Sequence, residues 1–147
     1  MKISTKIILI KIFSLVFFTF SSCKKEDIIP YVRFYEQIDL NLPKYQNVKI
    51  PGNYMYLSNE YFGYNGVILY CVSTNEYMAY ERNCPHDAQK ANAILDVIDS
   101  LCLMVCRDCG SRFFLIDGLK LDGPSKYSVK TYQTSLSINN ILDIYNL

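Results

Sequence analysis

The sequence predicts an all-β domain built from several small antiparallel sheets. Two observations support this prediction: short runs rich in β-branched and aromatic residues, and turn-forming residues between those runs. Residues 88–98 have some helical character, but their periodicity is too weak to predict a helix. The predicted strands are 67–72, 77–82, 101–105, 112–116, 128–133, 135–138 and 141–144.

The turns between these strands can be assigned from residue type. The polar tetrapeptide Ser73-Thr74-Asn75-Glu76 predicts a hairpin between the first two strands. Asp117-Gly118, Asp122-Gly123-Pro124 and Asn139-Asn140 combine residues that accept a positive φ with a proline that fixes a bend. No internal repeat interrupts this pattern, so we expect a single domain over residues 34–147.

The first 22 residues have the pattern of a secretory signal peptide. Three lysines start the stretch, an apolar run follows at 12–20, and small residues come after it. This run is well short of the roughly 20 residues that a membrane-spanning helix needs, so an uncleaved anchor is the weaker alternative. Residues 23–33 then form a flexible tether, because Lys24-Lys25-Glu26-Asp27 is too polar to be ordered by burial.

Cys23, directly after the small residues, resembles the lipidated cysteine of a bacterial lipobox. The resemblance implies that Cys23 becomes the lipid-bearing first residue of the mature chain. Lys25-Glu26-Asp27 also resembles a surface-export signal of lipoproteins, although an ordinary solvated linker explains it equally well. We therefore expect a protein of the cell envelope, lipid-anchored to a bacterial membrane and either periplasmic or surface-exposed.

Composition argues against a nucleic-acid partner and against an enzyme. Removing residues 1–22 takes away three Lys and no acid, so the formal net charge changes from +1 to −2. The remaining Lys and Arg are scattered among acidic residues, which leaves no basic patch for phosphates. The only histidine, His86, belongs to the motif described next, so no independent base for nucleophilic catalysis is available.

Two short cysteine-containing motifs carry the strongest chemical signal. Cys84-Pro85-His86 and Cys106-Arg107-Asp108-Cys109 each place two metal-binding side chains on one turn. These spacings let both members of a pair reach one metal centre, and two such turns supply four ligands. The sequence therefore predicts a metal site, suited to a zinc ion or a two-iron cluster, formed by Cys84, His86, Cys106 and Cys109.

With their surroundings, these motifs resemble the Rieske iron-sulfur domain. Gly110-Ser111 and Phe113 follow the second motif, and Gly123-Pro124 precedes the last strands. The resemblance covers residues 34–147 and implies a [2Fe-2S] cluster held between two hairpin loops. It also implies that Cys84 and Cys106 ligate one iron, that His86 and Cys109 ligate the other, that Ser111 donates to a cluster sulfide, and that Gly123 and Pro124 cover the cluster.

Three departures from the family pattern bear on function. Cys109 stands where the family has its second histidine, Phe113 stands where high-potential members have Tyr, and neither loop has the extra cysteine of an inter-loop disulfide. A thiolate in place of an imidazole adds negative charge beside the cluster, which lowers its reduction potential. Loss of the Tyr hydrogen bond acts in the same direction. We expect a one-electron carrier of low potential that serves an unknown redox protein partner.

Two alternatives are open for the site. Three cysteines and one histidine are also a common structural zinc set, and an exported chain could instead carry an emptied site with Cys106 and Cys109 oxidised. In either case the protein would be a lipoprotein that serves as a binding or structural module. Cys71 and Cys102 lie in apolar strand-like runs, where they are either small buried residues or a disulfide pair.

Overall fold

The structure is a computed structural model that describes residues 29–147. These residues form ten β-strands and three single-turn 3₁₀ helices, and this part of the chain contains no α-helix. The strands are β1 Phe34–Asp39, β2 Tyr54–Leu57, β3 Val67–Ser73, β4 Glu76–Glu81, β5 Leu95–Ile98, β6 Leu103–Cys106, β7 Arg112–Phe114, β8 Lys120–Asp122, β9 Thr131–Leu136 and β10 Ile141–Asn146. The 3₁₀ helices are Pro43–Tyr45, Asn47–Lys49 and Asp99–Leu101.

The strands form two antiparallel sheets. The larger sheet has six strands in the order β1-β10-β9-β4-β3-β2, and the smaller has four in the order β5-β6-β7-β8. Most neighbours in a sheet are also neighbours in sequence, which is typical of hairpin connections. The pairs β1 with β10 and β4 with β9 bring distant parts of the chain together.

Strand β3 shows why both faces of the large sheet are covered. Val67, Leu69 and Cys71 pack in a first hydrophobic core, together with residues of β1 and β10. Ile68 and Tyr70 pack in a second core, together with residues of the small sheet. Successive side chains of a strand point to opposite faces, so a strand buried on both faces reads as a continuous apolar run.

The second core lies between the two sheets and includes part of the cysteine motifs. Met104 and Phe113 of the small sheet and Tyr80 of the large sheet are fully buried there. Cys84 and Cys106 belong to the same core. Because close-packed interiors restrict side-chain motion, these two thiols are held more firmly than thiols at free loop tips.

The all-β prediction is confirmed, with most predicted strands present and shifted by a few residues. The predicted strand at 135–138 is wrong, because only its first two residues continue β9 and a turn follows. Residues 88–98 form no helix, and their last four residues are β5. The sequence did not predict four of the strands: β1, β2, β5 and β8. In β1, polar and charged residues are mixed with the apolar ones, and the other three strands have only three or four residues each.

The predicted turns occur at the expected positions. The hairpin between β3 and β4 turns at Asn75, which has a φ of 67°. Gly118, Gly123 and Asn140 also have positive φ, at 72°, 93° and 59°. Glycine and asparagine tolerate this conformation better than other residues, which is why sequence alone could locate these bends.

Residues 29–33, predicted as the end of the tether, contact the large sheet. Ile29 is buried, and the Val32 carbonyl accepts a hydrogen bond of 2.5 Å from Asn146 Nδ2. The predicted signal peptide and Cys23 lie outside the described residues. Within residues 29–147, no helix is long and apolar enough to cross a membrane.

Candidate metal centre

The two cysteine motifs lie on neighbouring loops because β5 pairs with β6. The first loop leaves β4 and leads into β5, and the second connects β6 to β7. A backbone hydrogen bond joins them at their bases, since Arg107 N–H donates to the Ile94 carbonyl at 3.0 Å. The first loop is closed by a bond of its own, from Cys84 N–H to the Ala93 carbonyl at 2.7 Å. The pairing of the small sheet thus places both motifs side by side.

Three thiols converge between these loops. The sulfurs of Cys84, Cys106 and Cys109 all lie within 4.8 Å of one another, and those of Cys84 and Cys109 are 3.8 Å apart. Cys84 and Cys106 are buried, whereas Cys109 is partly exposed. Two sulfurs at such distances can share a metal ion, so the trio is arranged for coordination by thiolates.

The side chain of His86, the predicted fourth ligand, does not lie with the three sulfurs. Its backbone N–H lies 3.5 Å from the Cys84 sulfur, and its Nε2 lies 3.8 Å from Asp87 Oδ2. Among residues 29–147, the donor atoms that lie within 4.8 Å of one another are the three sulfurs, and no His86 nitrogen belongs to that group. The structure therefore brings together three of the four predicted ligands, with His86 on the same loop two residues from Cys84.

The surroundings of Cys84 and Cys109 affect the two thiols in opposite directions. Burial raises the pKa of the Cys84 thiol far above its usual value. At Cys109, burial is the largest single effect and acts upward, but hydrogen bonds with Ser111, Cys106 and Cys84 together outweigh it and lower the pKa. Without a metal, Cys109 is therefore the more readily ionised of these two thiols, and the thiolate is the form that binds metals.

Ser111 connects the second loop to a third one. Its side chain is buried, and its Oγ lies 3.1 Å from the Cys109 sulfur and accepts a hydrogen bond of 2.9 Å from the Ser125 N–H. Gly123 packs directly on Ser111, since a Cβ at this position would lie 2.5 Å from Ser111 Cα. The Gly123-Pro124 segment thus lies against the residue that contacts the Cys109 sulfur.

Charged residues of the two loops form ion pairs. Lys90 contacts Asp87 within the first loop, and its Nζ lies 3.2 Å from Asp108 Oδ2 of the second loop. Arg107 pairs with Asp96 on β5. Arg107 and Asp108 are exposed residues of the turn in the second loop, and each of them forms an ion pair. Lys90 bridges the two loops, although exposed pairs of this kind are screened by water and add little to stability.

Sequence reasoning also missed two residues next to the site. Ser125 supplies the N–H that orients Ser111, and Asn83 contacts both ends of the first motif's loop, as described below. Neither residue belongs to a recognisable spacing. Asn83 follows the charged pair Glu81-Arg82, so no local pattern indicated that its side chain is buried.

Cys71 and Cys102 lie apart from the thiol group. Cys71 is buried in the first core, on the other face of the large sheet, and Cys102 is exposed with a φ of 52°. None of the described cysteines forms a disulfide. From sequence, each of these cysteines could be a small buried residue or half of a disulfide. Cys71 is a small buried residue, whereas Cys102 is neither buried nor in a disulfide.

The chain has a low similarity to several known structures. One is the plasma-membrane Rieske protein PetC3 of the cyanobacterium Synechocystis PCC 6803, with 19% identity, a TM-score of 0.49, and coverage of 80% of this chain and 100% of that chain. Another is the small subunit of an NADH-dependent nitrite reductase from Mycobacterium tuberculosis, with 16% identity, a TM-score of 0.45, and coverage of 80% and 98%. No family model matches the chain, and no curated protein matches it. At these values neither likeness supports an argument about function.

The donor set fits an iron-sulfur cluster in number and kind. Such clusters are held by thiolates, with imidazoles as the known substitutes, and four donors are needed. Three thiols are already assembled, and a fourth donor would have to come from His86, whose ring nitrogens lie outside the thiol group although it is on the loop that carries Cys84.

Proposed function

We propose that this protein is a Rieske-like iron-sulfur domain that carries single electrons. The observation that carries the proposal is the convergence of Cys84, Cys106 and Cys109 from two paired loops. The contact of Ser111 with the Cys109 sulfur and the packing of Gly123 on Ser111 add support, because a sulfur-directed hydroxyl under a covering loop suits a cluster.

A bound [2Fe-2S] cluster would supply reversible one-electron chemistry at this site. The chain's own residues would set where that chemistry takes place. Cys84 and Cys106 are buried and would keep water from one side of the site. Cys109 and His86 are both partly exposed, so the electron path to a partner protein would be shortest on the side where these two residues lie.

The ligand types favour a low reduction potential. All-cysteine plant-type clusters lie at about −400 mV, and clusters with two histidines lie at about −150 to +300 mV. A site with three cysteines and one histidine should lie between these values. Phe113 is fully buried between the sheets and offers no hydroxyl to the site, which removes one hydrogen bond that would raise the potential.

A single structural metal ion is the second candidate, and a specific distance favours it. Bonds of about 2.3 Å in a tetrahedral zinc site separate two sulfurs by about 3.8 Å. The sulfurs of Cys84 and Cys109 are 3.8 Å apart. The family resemblance instead assigns these two residues to different irons, which would separate them further. In this case the domain would be a binding or structural module stabilised by zinc.

The cellular setting is part of the proposal. We infer a signal peptide over residues 1–22 and lipidation at Cys23, so that a short polar segment joins the domain to a bacterial membrane. A carrier held in this way would exchange electrons with a redox protein at the same membrane.

A redox titration of reconstituted protein tests the proposal. The wild type should accept one electron at a potential between the two ranges given above. Cys109→His removes one negative charge from the ligand set and should move the midpoint potential upward, towards the range of clusters with two histidines. Cys102→Ser changes an exposed thiol outside the site and serves as the control, with no shift expected. Absence of a reversible one-electron step in the wild type would refute the proposal, and an unchanged potential in Cys109→His would refute the role of Cys109.

A further inference from the structure

A buried polar cluster lies behind the first loop. We define it as Glu81, Asn83, Asn65 and Tyr132. Glu81 and Asn83 are both fully buried, although Glu and Asn are rarely found in protein interiors. Burial of such groups is costly unless their hydrogen-bonding atoms are satisfied. The cluster is therefore a place where the fold depends on specific contacts, and it begins three residues before Cys84.

Glu81 is the acceptor at the centre of this cluster. Its Oε1 accepts hydrogen bonds of 2.9 Å from the N–H groups of Asn65 and Asn83. Its Oε2 accepts one of 2.6 Å from the Tyr64 N–H and one of 2.5 Å from the Tyr132 hydroxyl. Each oxygen thus has two donors, which accounts for the acceptor capacity of a carboxylate. Glu81 fixes the backbone of Asn83 in this way.

The Asn83 side chain spans the first loop. Its Oδ1 accepts a hydrogen bond of 2.5 Å from Asn65 Nδ2, which sets the orientation of the amide. Its Nδ2 donates to the Ala88 carbonyl at 2.7 Å and lies 3.5 Å from the Cys84 carbonyl. The amide therefore holds the chain on both sides of His86, between Cys84 and Ala88.

The backbone of Asn83 closes the other side of the loop. Asn83 forms an isolated antiparallel bridge with Ile94, and the neighbouring Cys84 N–H donates to the Ala93 carbonyl. The base of the loop is thus held by the sheet, and its first turn is held by a side chain. A hydrophobic residue of similar size could fill the same space, but it could not donate to the Ala88 carbonyl.

We propose that Asn83 is a positioning residue for the metal loop, and that Glu81 and Asn65 fix Asn83 in place. Asn83 holds the backbone of the loop from Cys84 to Ala88, and with it the Cys84 thiol, in place before a metal ion arrives. This inference rests on the proposed function only in that the first loop binds a metal. Residues that orient metal ligands typically change metal affinity by about 10- to 100-fold when they are substituted.

Cobalt(II) binding to the metal-free protein tests this proposal, with the thiolate charge-transfer absorption as the signal. Asn83→Ala removes the amide, and Asn83→Asp keeps the acceptor for Asn65 but places an oxygen against the Ala88 carbonyl. Asn53→Ala is the matched control, since Asn53 Nδ2 also bridges a turn, to Asn47, away from the metal loops. Both Asn83 variants should bind cobalt about tenfold more weakly or worse, with the control unchanged.

Thermal unfolding of each metal-free variant separates positioning from general stability. If Asn83 only supports the fold, the Asn83 variants will unfold at lower temperature yet bind cobalt with wild-type affinity well below that temperature. That result overturns the proposal. If Asn83→Ala fails to fold, Asn65→Ala replaces it, because it removes only the side chain that orients the amide. It should weaken cobalt binding by less than the Asn83 variants, and wild-type affinity would count against the proposal.

The cobalt signal also distinguishes this proposal from the proposed function. A wild type that binds cobalt through thiolates but assembles no iron-sulfur cluster removes the electron carrier and leaves the test of Asn83 intact. A wild type that binds no cobalt through thiolates overturns the proposal for Asn83, and the proposed function is then decided by iron-sulfur reconstitution alone.

Discussion

Replacing Glu81 with glutamine removes one acceptor oxygen from a buried carboxylate that has four donors. If the amide nitrogen takes the place of Oε2, it can donate to the Tyr132 hydroxyl, but the Tyr64 N–H loses its acceptor. If it takes the place of Oε1, it opposes the N–H groups of both Asn65 and Asn83. Glu81→Gln therefore leaves at least one buried backbone donor without a partner in either orientation.

The expected loss of stability follows from these contacts. A hydrogen bond to a charged acceptor contributes about 1.5–3 kcal/mol, and an unsatisfied buried donor costs about 1–3 kcal/mol. Both values include part of the same lost interaction, so their full sum would be too large. We therefore expect Glu81→Gln to lower the free energy of unfolding by about 2–5 kcal/mol. For a domain of this size each kcal/mol shifts the melting temperature by about 3–5 °C, so the melting temperature should fall by about 6–25 °C.

Urea and thermal unfolding followed by circular dichroism measure this loss. The matched control is Glu76→Gln, since Glu76 is exposed on the β3–β4 hairpin and accepts one hydrogen bond, from Ser73 Oγ at 2.8 Å. The control should stay within about 0.5 kcal/mol of the wild type. If Glu81→Gln unfolds with the same free energy as Glu76→Gln, the reasoning about the buried carboxylate is refuted.

Two further predictions concern the covering loop and the acid stability of the small sheet. Gly123→Ala adds a Cβ that would lie 2.5 Å from Ser111 Cα, whereas Gly52→Ala has the same positive-φ strain with no heavy atom within 4 Å. In urea unfolding, Gly123→Ala should therefore cost more than the roughly 1–3 kcal/mol of backbone strain alone, and equal losses would contradict the packing of the loop on Ser111. Arg107 is the main cause of the lowered pKa of Asp96, so this pair stabilises the fold above about pH 4 and loses its effect as the pH falls through the folded-state pKa. Asp96→Asn should be less stable than the wild type at pH 7, by at most about 1 kcal/mol, and the difference should shrink as the pH falls below about 4; a difference that does not shrink in acid would contradict this pairing.

Local sequence signals sufficed for the strands and turns that follow simple rules. The continuous apolar run of β3 is read correctly because it is buried on both faces, and Gly118 and Gly123 occupy positive-φ turns. Strand β1 was missed because it alternates with polar residues and gains its place only by pairing with β10, more than 100 residues away. That pairing is a tertiary contact, which no local pattern encodes.

The candidate site was also predictable from sequence only in part. The spacing of Cys84, Cys106 and Cys109 predicted which thiols would meet, because each motif brings its side chains to one turn. The orientation of His86 was not predictable, since it depends on the fold of the whole first loop. Asn83 was also missed, because its role comes from contacts with residues on a different loop and not from its spacing to the cysteines.

The amount of iron and acid-labile sulfide bound per chain, after anaerobic reconstitution, tests the central claim most directly. The account predicts two irons and two sulfides per chain, with an electron paramagnetic resonance signal on one-electron reduction. Substitution of Cys84, Cys106 or Cys109 by serine should abolish this binding, whereas Cys102→Ser should not. A chain that takes up one zinc ion and no sulfide would contradict the claim and leave a zinc-stabilised β domain in its place.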